Sequence, residues 1–286
     1  MDKITPNVIG ITGKPGIPTI GIILKNTLKL LKKYEIPFVI DTVLKPYLSL
    51  PYQVEFLDFR SLPDSVNVLI ILGGDGTLIR AVHEISNIEK RLILGVNIGR
   101  IGFLSEIMPY DLAQSIERMI NGEEIFIEEI RLMEVEVLGT TYRALNDIVV
   151  MGKEPGSMIL IKVYLDDEPI CATHADGIIV STSIGSTAYS ASAGGPIIDP
   201  RINAFIINFI CPLMWALRPL IVPATSKLRI RVRAPEGVVL VDGMRVSTFK
   251  NDITLTPRYA KDTIKFIRFS RGSFYRRLYH RLTAWV

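Results

Sequence analysis

Cysteine is nearly missing: the 286 residues hold two, Cys171 and Cys211, far apart and in unlike contexts. That excludes a disulfide framework and any Cys-x-x-Cys metal site, and a reducing, cytoplasmic setting is expected. The three histidines, at 83, 174 and 280, show no metal-ligand spacing. No lysine-arginine block interleaved with aromatics occurs, so the net charge of +4 suits an anionic small ligand and gives no sign of nucleic acid. The start, MDKITPNVIG, lacks the basic patch and apolar run of a signal peptide. Long hydrophobic runs are also scarce. The one candidate, 202–222, is broken by Asn203, Asn208, Pro212 and Arg218-Pro219, and its uncharged part is too short to span a bilayer. It reads as a buried strand plus loop, and no membrane association is expected.

Several familiar chemical signatures are absent too. GITGKPG holds a Gly-Lys, but Pro15 follows where a P-loop needs Ser or Thr, and Val8 stands in place of its first glycine. No G-x-G-x-x-G follows any strand, which removes the usual dinucleotide fingerprint. No G-x-S-x-G occurs, so the serine-rich region is not a hydrolase nucleophile elbow.

What is present organises into two parts. With 48% hydrophobic and 22% charged residues, the chain has ample material for a core. NVIGI (7–11), IPFVIDTV (36–43), VNVLIIL (66–72) and RLILGVN (91–97) read as short apolar strands. Helical periods separate them: Ile20, Leu24, Leu28 and Leu31 share one face, and LIRAVHEIS follows the third strand. Strands of this kind alternating with helices imply an α/β domain with a parallel sheet, covered on both faces. Residues 109–121 read as a further helix, opening at Pro109 and closing at Asn121-Gly122. After that the rhythm becomes strand-like. KLRIRVR (227–233) alternates strictly, its four cations forming the wet face of an antiparallel sheet, and VVLVDGMRV turns at Asp242-Gly243. The expected arrangement is an α/β domain over 1–108, a β-rich domain over 109–269, and a C-terminal helix over 270–286 that packs back on the first.

Two stretches carry chemistry. In GGDGT, Gly73–Thr77, glycines at the end of a buried strand let backbone N–H groups converge on phosphate, and the following helix N-terminus favours the same charge. An aspartate is a poor neighbour for phosphate unless it accepts a proton from an attacking hydroxyl or holds a magnesium ion. The alternative is a tight turn whose aspartate caps the helix. The second stretch, STSIGSTAYSASAGGPIIDP (181–200), offers hydroxyls, close-approach glycines and one tyrosine directly after an apolar strand. That composition suits a polar, flat ligand better than a flexible linker.

Taken in order, GGDGT (73–77), NIGRIGFL (97–104), LNDIVV (145–150), ADGIIVSTSIGSTAYSASAGGPI (175–197) and VDG (241–243) resemble the motif series of the NAD kinases. GGDGT alone is shared with diacylglycerol, sphingosine and phosphofructokinase-type kinases; the Thr-Ala-Tyr-Ser run before Gly-Gly-Pro is more selective. The resemblance implies transfer of a phosphoryl group from ATP or polyphosphate, with Mg²⁺ or another divalent cation, to the adenosine-ribose 2′-hydroxyl of NAD. It implies Asp75 as the catalytic base, with Gly73, Gly74, Gly76 and Thr77 at the phosphates. Arg80, one turn on, is either a phosphate contact or a solvated helix arginine. Phe103 falls near the adenine, and Asn146 and Asp147 on the adenine and ribose hydroxyls. Asp176 and His174 fall toward the nicotinamide end, Thr187, Ala188, Tyr189 and Ser192 in the loop holding the dinucleotide, and Met244 after Asp-Gly.

Three positions depart from the family pattern: Ile184 for a threonine, Leu213 for a histidine and Met244 for a glutamine. Each removes a polar contact and leaves the catalytic group in place. The resemblance further implies a homodimer or homotetramer, and a ligand in the cleft between the domains. Two other readings compete with it. A GGDGT-type lipid kinase would want an apolar acyl groove where 181–195 offers hydroxyls, and a non-catalytic NAD-binding sensor would have no need of the acid at 75.

Overall fold

A computed structural model of the chain describes residues 6–50, 52–99, 102–270 and 273–283. Arg100 and Ile101 of the NIGRIGFL stretch lie outside the described residues, as do the first five residues and parts of the segment expected as a helix over 270–286. The chain forms two compact units, 1–130 with 263–286, and 131–262.

The first unit is built on parallel strands β1 (Val8–Gly13), β2 (Phe38–Asp41), β3 (Phe56–Leu57), β4 (Val66–Gly73) and β5 (Leu92–Asn97), in the order β3-β2-β1-β4-β5. Helices α1 (Ile20–Lys33), α2 (Asp75–Glu84) and α3 (Leu112–Ile120) accompany them. β4 is apolar and buried through Val68–Leu72, as a central parallel strand with both faces covered must be. Its register pairs Leu72 with Val96 and with Gly13, and Gly73 with Asn97. The carboxyl ends of β1, β4 and β5 therefore meet at Gly13, Gly73 and Asn97, the edge of a parallel sheet where ligands bind. β2 is shorter than 36–43: it stops at Asp41, whose carboxylate accepts the Val43 N–H and starts a 3₁₀ turn over Thr42–Tyr47.

The division between units differs from the expected boundary at 108. Leu112, Ile116 and Met119 of α3 share a core with Ile11, Leu24, Leu28, Val68 and Ile70, so α3 belongs to the first unit. The strand that follows, β6 (Phe126–Val137), contains the division.

The second unit is antiparallel. β7 (Thr140–Ala144) pairs with the end of β6. Strands β8 (Asp147–Gly152), β9 (Ile159–Leu165), β10 (Glu168–Ala175), β11 (Gly177–Thr182), β12 (Ala204–Ile210), β13 (Leu220–Pro223) and β14 (Leu228–Val241) form a sheet in the order β10-β9-β14-β8-β11-β12-β13. β15 (Met244–Leu255) pairs with β14. β14 serves two neighbours in succession, β9 through Leu228–Arg233 and β8 through Gly237–Val241. The change comes at an irregularity in its pairing with β15 between Ala234 and Glu236, beside Pro235, which has no N–H to give a ladder. Leu228, Ile230 and Val232 are buried while Arg231 and Arg233 are exposed, the alternation expected of a half-wet sheet. The helix α4 (Tyr189–Ser192) is a single turn between β11 and β12. The chain then returns to the first unit: Lys265 and Phe266 of β16 (Arg258–Arg268) pair parallel to Leu92 and Ile93, and helix α5 (Ser273–Thr283) follows.

Candidate active site

Gly73 ends β4 and Gly74 caps α2, so Asp75 is the first helical residue. The glycines have different reasons. A Cβ on Gly73 would lie 2.3 Å from the Thr77 hydroxyl oxygen, so packing alone demands glycine there. A Cβ on Gly74 or Gly76 would meet no atom within 4 Å, and neither residue has a left-handed φ. Neither the protein's packing nor its backbone conformation requires glycine at these two positions. Both line a cavity of about 780 Å³ at the α2 N-terminus. Its other walls include Lys14, Arg60, Thr77 and Arg80, and the apolar Ile17, Val43, Phe59 and Ile85. Asp41, Asp58 and Glu84 line it as well, so the cations and the α2 N-terminus, which favours phosphate, stand beside three carboxylates. Arg80 lines the cavity and also pairs with Glu84 at 2.9 Å on an exposed face, so both readings of it describe part of its surroundings.

Asp75 is not among the residues lining that cavity. Its carboxylate accepts the Phe103 N–H at 2.7 Å on one oxygen and the Leu104 N–H at 3.0 Å on the other. Gly102 makes room for it: a Cβ there would be 2.1 Å from a carboxylate oxygen. Each oxygen has a second lone pair, so two amide bonds orient the group and still leave it able to accept a proton. The Phe103 ring is 6% exposed and packs against Phe274, centroids 6.1 Å apart, with the Arg281 guanidinium 5.2 Å from its centroid. The part of Phe103 that reaches Asp75 is its backbone N–H.

In the second unit, Asn146 and Asp147 sit where β8 begins, and three segments converge on them. The Asp242 carboxylate accepts the backbone N–H groups of Leu145, Asn146 and Asp147 at 2.7, 2.7 and 3.0 Å. The Asp242 N–H donates in return to the Asp147 carbonyl at 2.9 Å. Asp242 has φ 48° and Gly243 φ 78°, the left-handed pair that a tight hairpin turn uses. From the serine-rich stretch, the Thr182 N–H and the Ser181 hydroxyl donate to the Asn146 carbonyl, and the Thr182 hydroxyl donates to the Leu145 carbonyl. Gly185 packs so closely on Asn146 that a Cβ would fall 2.1 Å from its carbonyl oxygen.

Asp147 is 3% exposed. Burial pushes its carboxyl up to about 7; the Asp242 charge adds to this and a hydrogen bond from the Tyr189 backbone opposes it. That bond brings α4 to the same cluster. Thr187 and Ala188 are half-buried, and Tyr189 and Ser192 are exposed. Asn208 anchors α4, donating from its amide to the Ser190 and Ala193 carbonyls at 3.0 and 3.1 Å. Met244 begins β15 directly after the Asp242-Gly243 turn, opposite Val241. The structure does not bring His174 and Asp176 to this cluster. Ser181 pairs with Asp147 and Gly177 with Met151, so Asp176 lies just beyond the other end of the β8–β11 pair, about 17 Å of strand away. Ile184 is buried and Leu213 exposed, so the first departure packs inward and the second faces solvent.

Sequence reasoning gave two contributors no role in the site. Asp242 stood in the VDG motif and at a turn without a visible partner, and Asn208 was only a polar break in an apolar run. Their partners lie many residues away, and no local spacing points to them. Among the described residues no group of three or more His, Cys, Asp and Glu side chains is placed to hold a metal ion.

Comparison with known proteins gives one consistent family. The ATP-NAD kinase N-terminal domain matches residues 50–124 and the ATP-NAD kinase C-terminal domain residues 145–269. An NAD kinase from Methanosarcina barkeri is 34% identical over 229 residues, 78% of this chain and 81% of that protein. One from Thermococcus sibiricus is 38% identical over 207 residues, 72% of this chain and 74% of that protein. The fold matches yeast NADH kinase complexed with NADH at TM-score 0.84 and 23% identity, over 97% of this chain and 88% of that one. It also matches an Archaeoglobus fulgidus NAD kinase in complex with ATP at TM-score 0.76 and 23% identity, over 96% and 98%.

Proposed function

We propose a division of labour for this chain, which belongs to the NAD kinase family and phosphorylates NAD to NADP. Asp75 is the general base. It takes the proton of the adenosine-ribose 2′-hydroxyl as that oxygen bonds to the terminal phosphorus of the donor and the bond to the leaving phosphate breaks. Positioning and electrostatics supply most of the acceleration in such a transfer. The two amides on its oxygens keep Asp75 in one orientation throughout.

The donor is ATP, bound in the cavity at the α2 N-terminus. Lys14, Arg60 and Arg80 face its phosphates, and Ile17, Val43, Phe59 and Ile85 supply an apolar wall for a base ring. The carrying observation is at Gly74 and Gly76: a Cβ would meet nothing of the protein there, so the space serves the ligand. Mg²⁺ fits a donor-carried role, since it is commonly held by one or two carboxylates plus substrate phosphates and needs no protein cage. When bound with the donor it would supply charge neutralisation, with Asp41, Asp58 and Glu84 in the cavity wall and Asp75 at the start of α2 as the carboxylates at hand.

Asn146, Asp147, Thr187, Ala188, Tyr189, Ser192 and Met244 hold the adenosine half of NAD, while His174 and Asp176 face the nicotinamide half. Exposed Leu213, Met214 and Trp215 form an apolar patch that supports assembly as a homodimer or homotetramer. No helix among the described residues is long and apolar enough to cross a membrane, in keeping with a cytoplasmic enzyme. The test mixes purified protein, NAD and Mg²⁺ with ATP or with polyphosphate and measures NADP. ATP should serve as donor; NADP from polyphosphate alone would overturn the assignment of the cavity.

A further inference from the structure

Asp75 is held by the amides of residues 103 and 104, and what holds those residues is a buried charge cluster reaching from the C-terminal helix. Side chains of Glu106, Arg268 and Arg277 are 4%, 4% and 8% exposed. Arg277 of α5 meets a Glu106 carboxylate oxygen at 3.1 Å, and Arg268 meets the same oxygen at 3.5 Å. The other Glu106 oxygen accepts the Phe269 N–H at 3.2 Å. Arg268 also donates to the Leu104 carbonyl at 2.7 Å and to Glu128 at 2.6 Å. Leu104 is thus gripped on both sides of its backbone, its carbonyl by Arg268 and its N–H by Asp75. Phe103 is gripped through its ring, by Phe274 and Arg281 of α5.

We propose that Arg277 is a positioning residue for the phosphoryl transfer: through Glu106 and Arg268 it fixes the 103–104 backbone, and so the orientation of the Asp75 carboxylate. Three buried charges are an expensive way to fasten a helix, since apolar packing of the same volume is often as stable or more so. A fork of fixed N–H groups does what apolar packing cannot, which is to set a carboxylate and a carbonyl in one geometry. The electrostatics agree. Burial and the charge of Arg268 push the Arg277 guanidinium down to about 10, while Glu106, Glu128 and Asp75 itself oppose that shift.

The inference rests on Asp75 being the base, and the experiment separates the two. Arg277→Met, Arg277→Lys and Asp75→Asn are made singly, and each Arg277 variant is combined with Asp75→Asn. A misplacement of about 1 Å can lower the rate about 100-fold. Arg277→Met should therefore lower kcat by about 10- to 100-fold with the KM for NAD within about threefold of the parent. Arg277→Lys, which keeps the charge and loses the fork, should recover only part of the loss. In the Asp75→Asn background the same Arg277 changes should alter kcat by less than about twofold, because residues acting through one another are not additive. Should Arg277→Met leave Glu106 too poorly paired to fold, the double change Arg277→Met with Glu106→Gln removes both charges and is read the same way. Equal losses in both backgrounds, or an unchanged kcat, would overturn the positioning role and leave Asp75 as the base. A kcat for Asp75→Asn within a few-fold of the parent would instead overturn the base assignment.

Discussion

Asp147 is 3% exposed, and its carboxyl is pushed up to about 7 by burial and by Asp242. If the ionised carboxylate accepts a ribose hydroxyl of NAD, binding follows the fraction ionised. With a pKa of about 7 that fraction is about one-eleventh at pH 6 and about ten-elevenths at pH 8. The KM for NAD should therefore fall about tenfold as the pH rises from 6 to 8. Steady-state kinetics at saturating donor, in a buffer of constant ionic strength, gives the KM free of changes in kcat. Asp242→Asn removes the second cause of the shift. With its amide oxygen in place of the carboxylate oxygen facing Asn146 and Asp147, that variant can keep both of those bonds and lose only the one from Leu145. In it the fall in KM should move to lower pH. Stability runs opposite to binding. The folded pKa exceeds the unfolded one, so Asp147 imposes no penalty below about pH 4, where both states are protonated. The penalty grows between about 4 and 7 and is constant above, on the order of 4 kcal/mol at most. Removing the ionisable group, in Asp147→Asn, should flatten that part of the Tm profile. A KM for NAD that is level between pH 6 and 8, or that rises, would refute the reasoning.

Asp75→Asn should lower kcat by about 10²–10⁴-fold while NAD still binds. Its amide nitrogen cannot accept from the Phe103 or Leu104 N–H that it faces, so a loss of about 1–3 kcal/mol in denaturant unfolding should accompany it. Gly102→Ala places a methyl where the Asp75 carboxylate now lies, 2.1 Å from one oxygen, and should lower kcat with little change in the KM for NAD. A fully active Gly102→Ala enzyme would show that the carboxylate does not need its present position.

How much of this was readable in advance depends on the distance over which each feature is decided. β4 and α2 were legible because an apolar run, three glycines and a helical period follow one another within twenty residues. The end of β2 was not, because the Asp41 carboxylate captures the Val43 N–H and ends an otherwise strand-like run. The change from helical to strand rhythm was real, yet it misplaced the unit boundary. α3 looks like the start of something new and packs on the core formed by Ile11, Leu24 and Val68. Asp75, Asn146 and Asp147 carried motif context. Asp242 stood in the VDG motif but with no visible partner, and Asn208 had no motif at all, since their work is done on backbone groups 95 and 18 residues away. The same holds for Glu106, Arg268 and Arg277, which read as ordinary charges until burial joins them.

The first unit is assembled from two pieces of chain, 1–130 and 263–286, with all of the second unit lying between them. During synthesis the second unit is complete before β16 and α5 exist in full, so it can fold as a continuous segment while the first still lacks the strand beside β5. The loop that orients Asp75 waits longest, because Arg268, Phe269, Phe274, Arg277 and Arg281 all emerge after residue 262. Closing a contact between Leu104 and Arg268 spans 164 residues, the kind of long-range step that slows folding. A ribosome-bound chain at that stage can carry a formed second unit and an intact GGDGT turn without an oriented Asp75 carboxylate. Appearance of activity in a pulse-labelled translation should then lag behind protease resistance of residues 131–262.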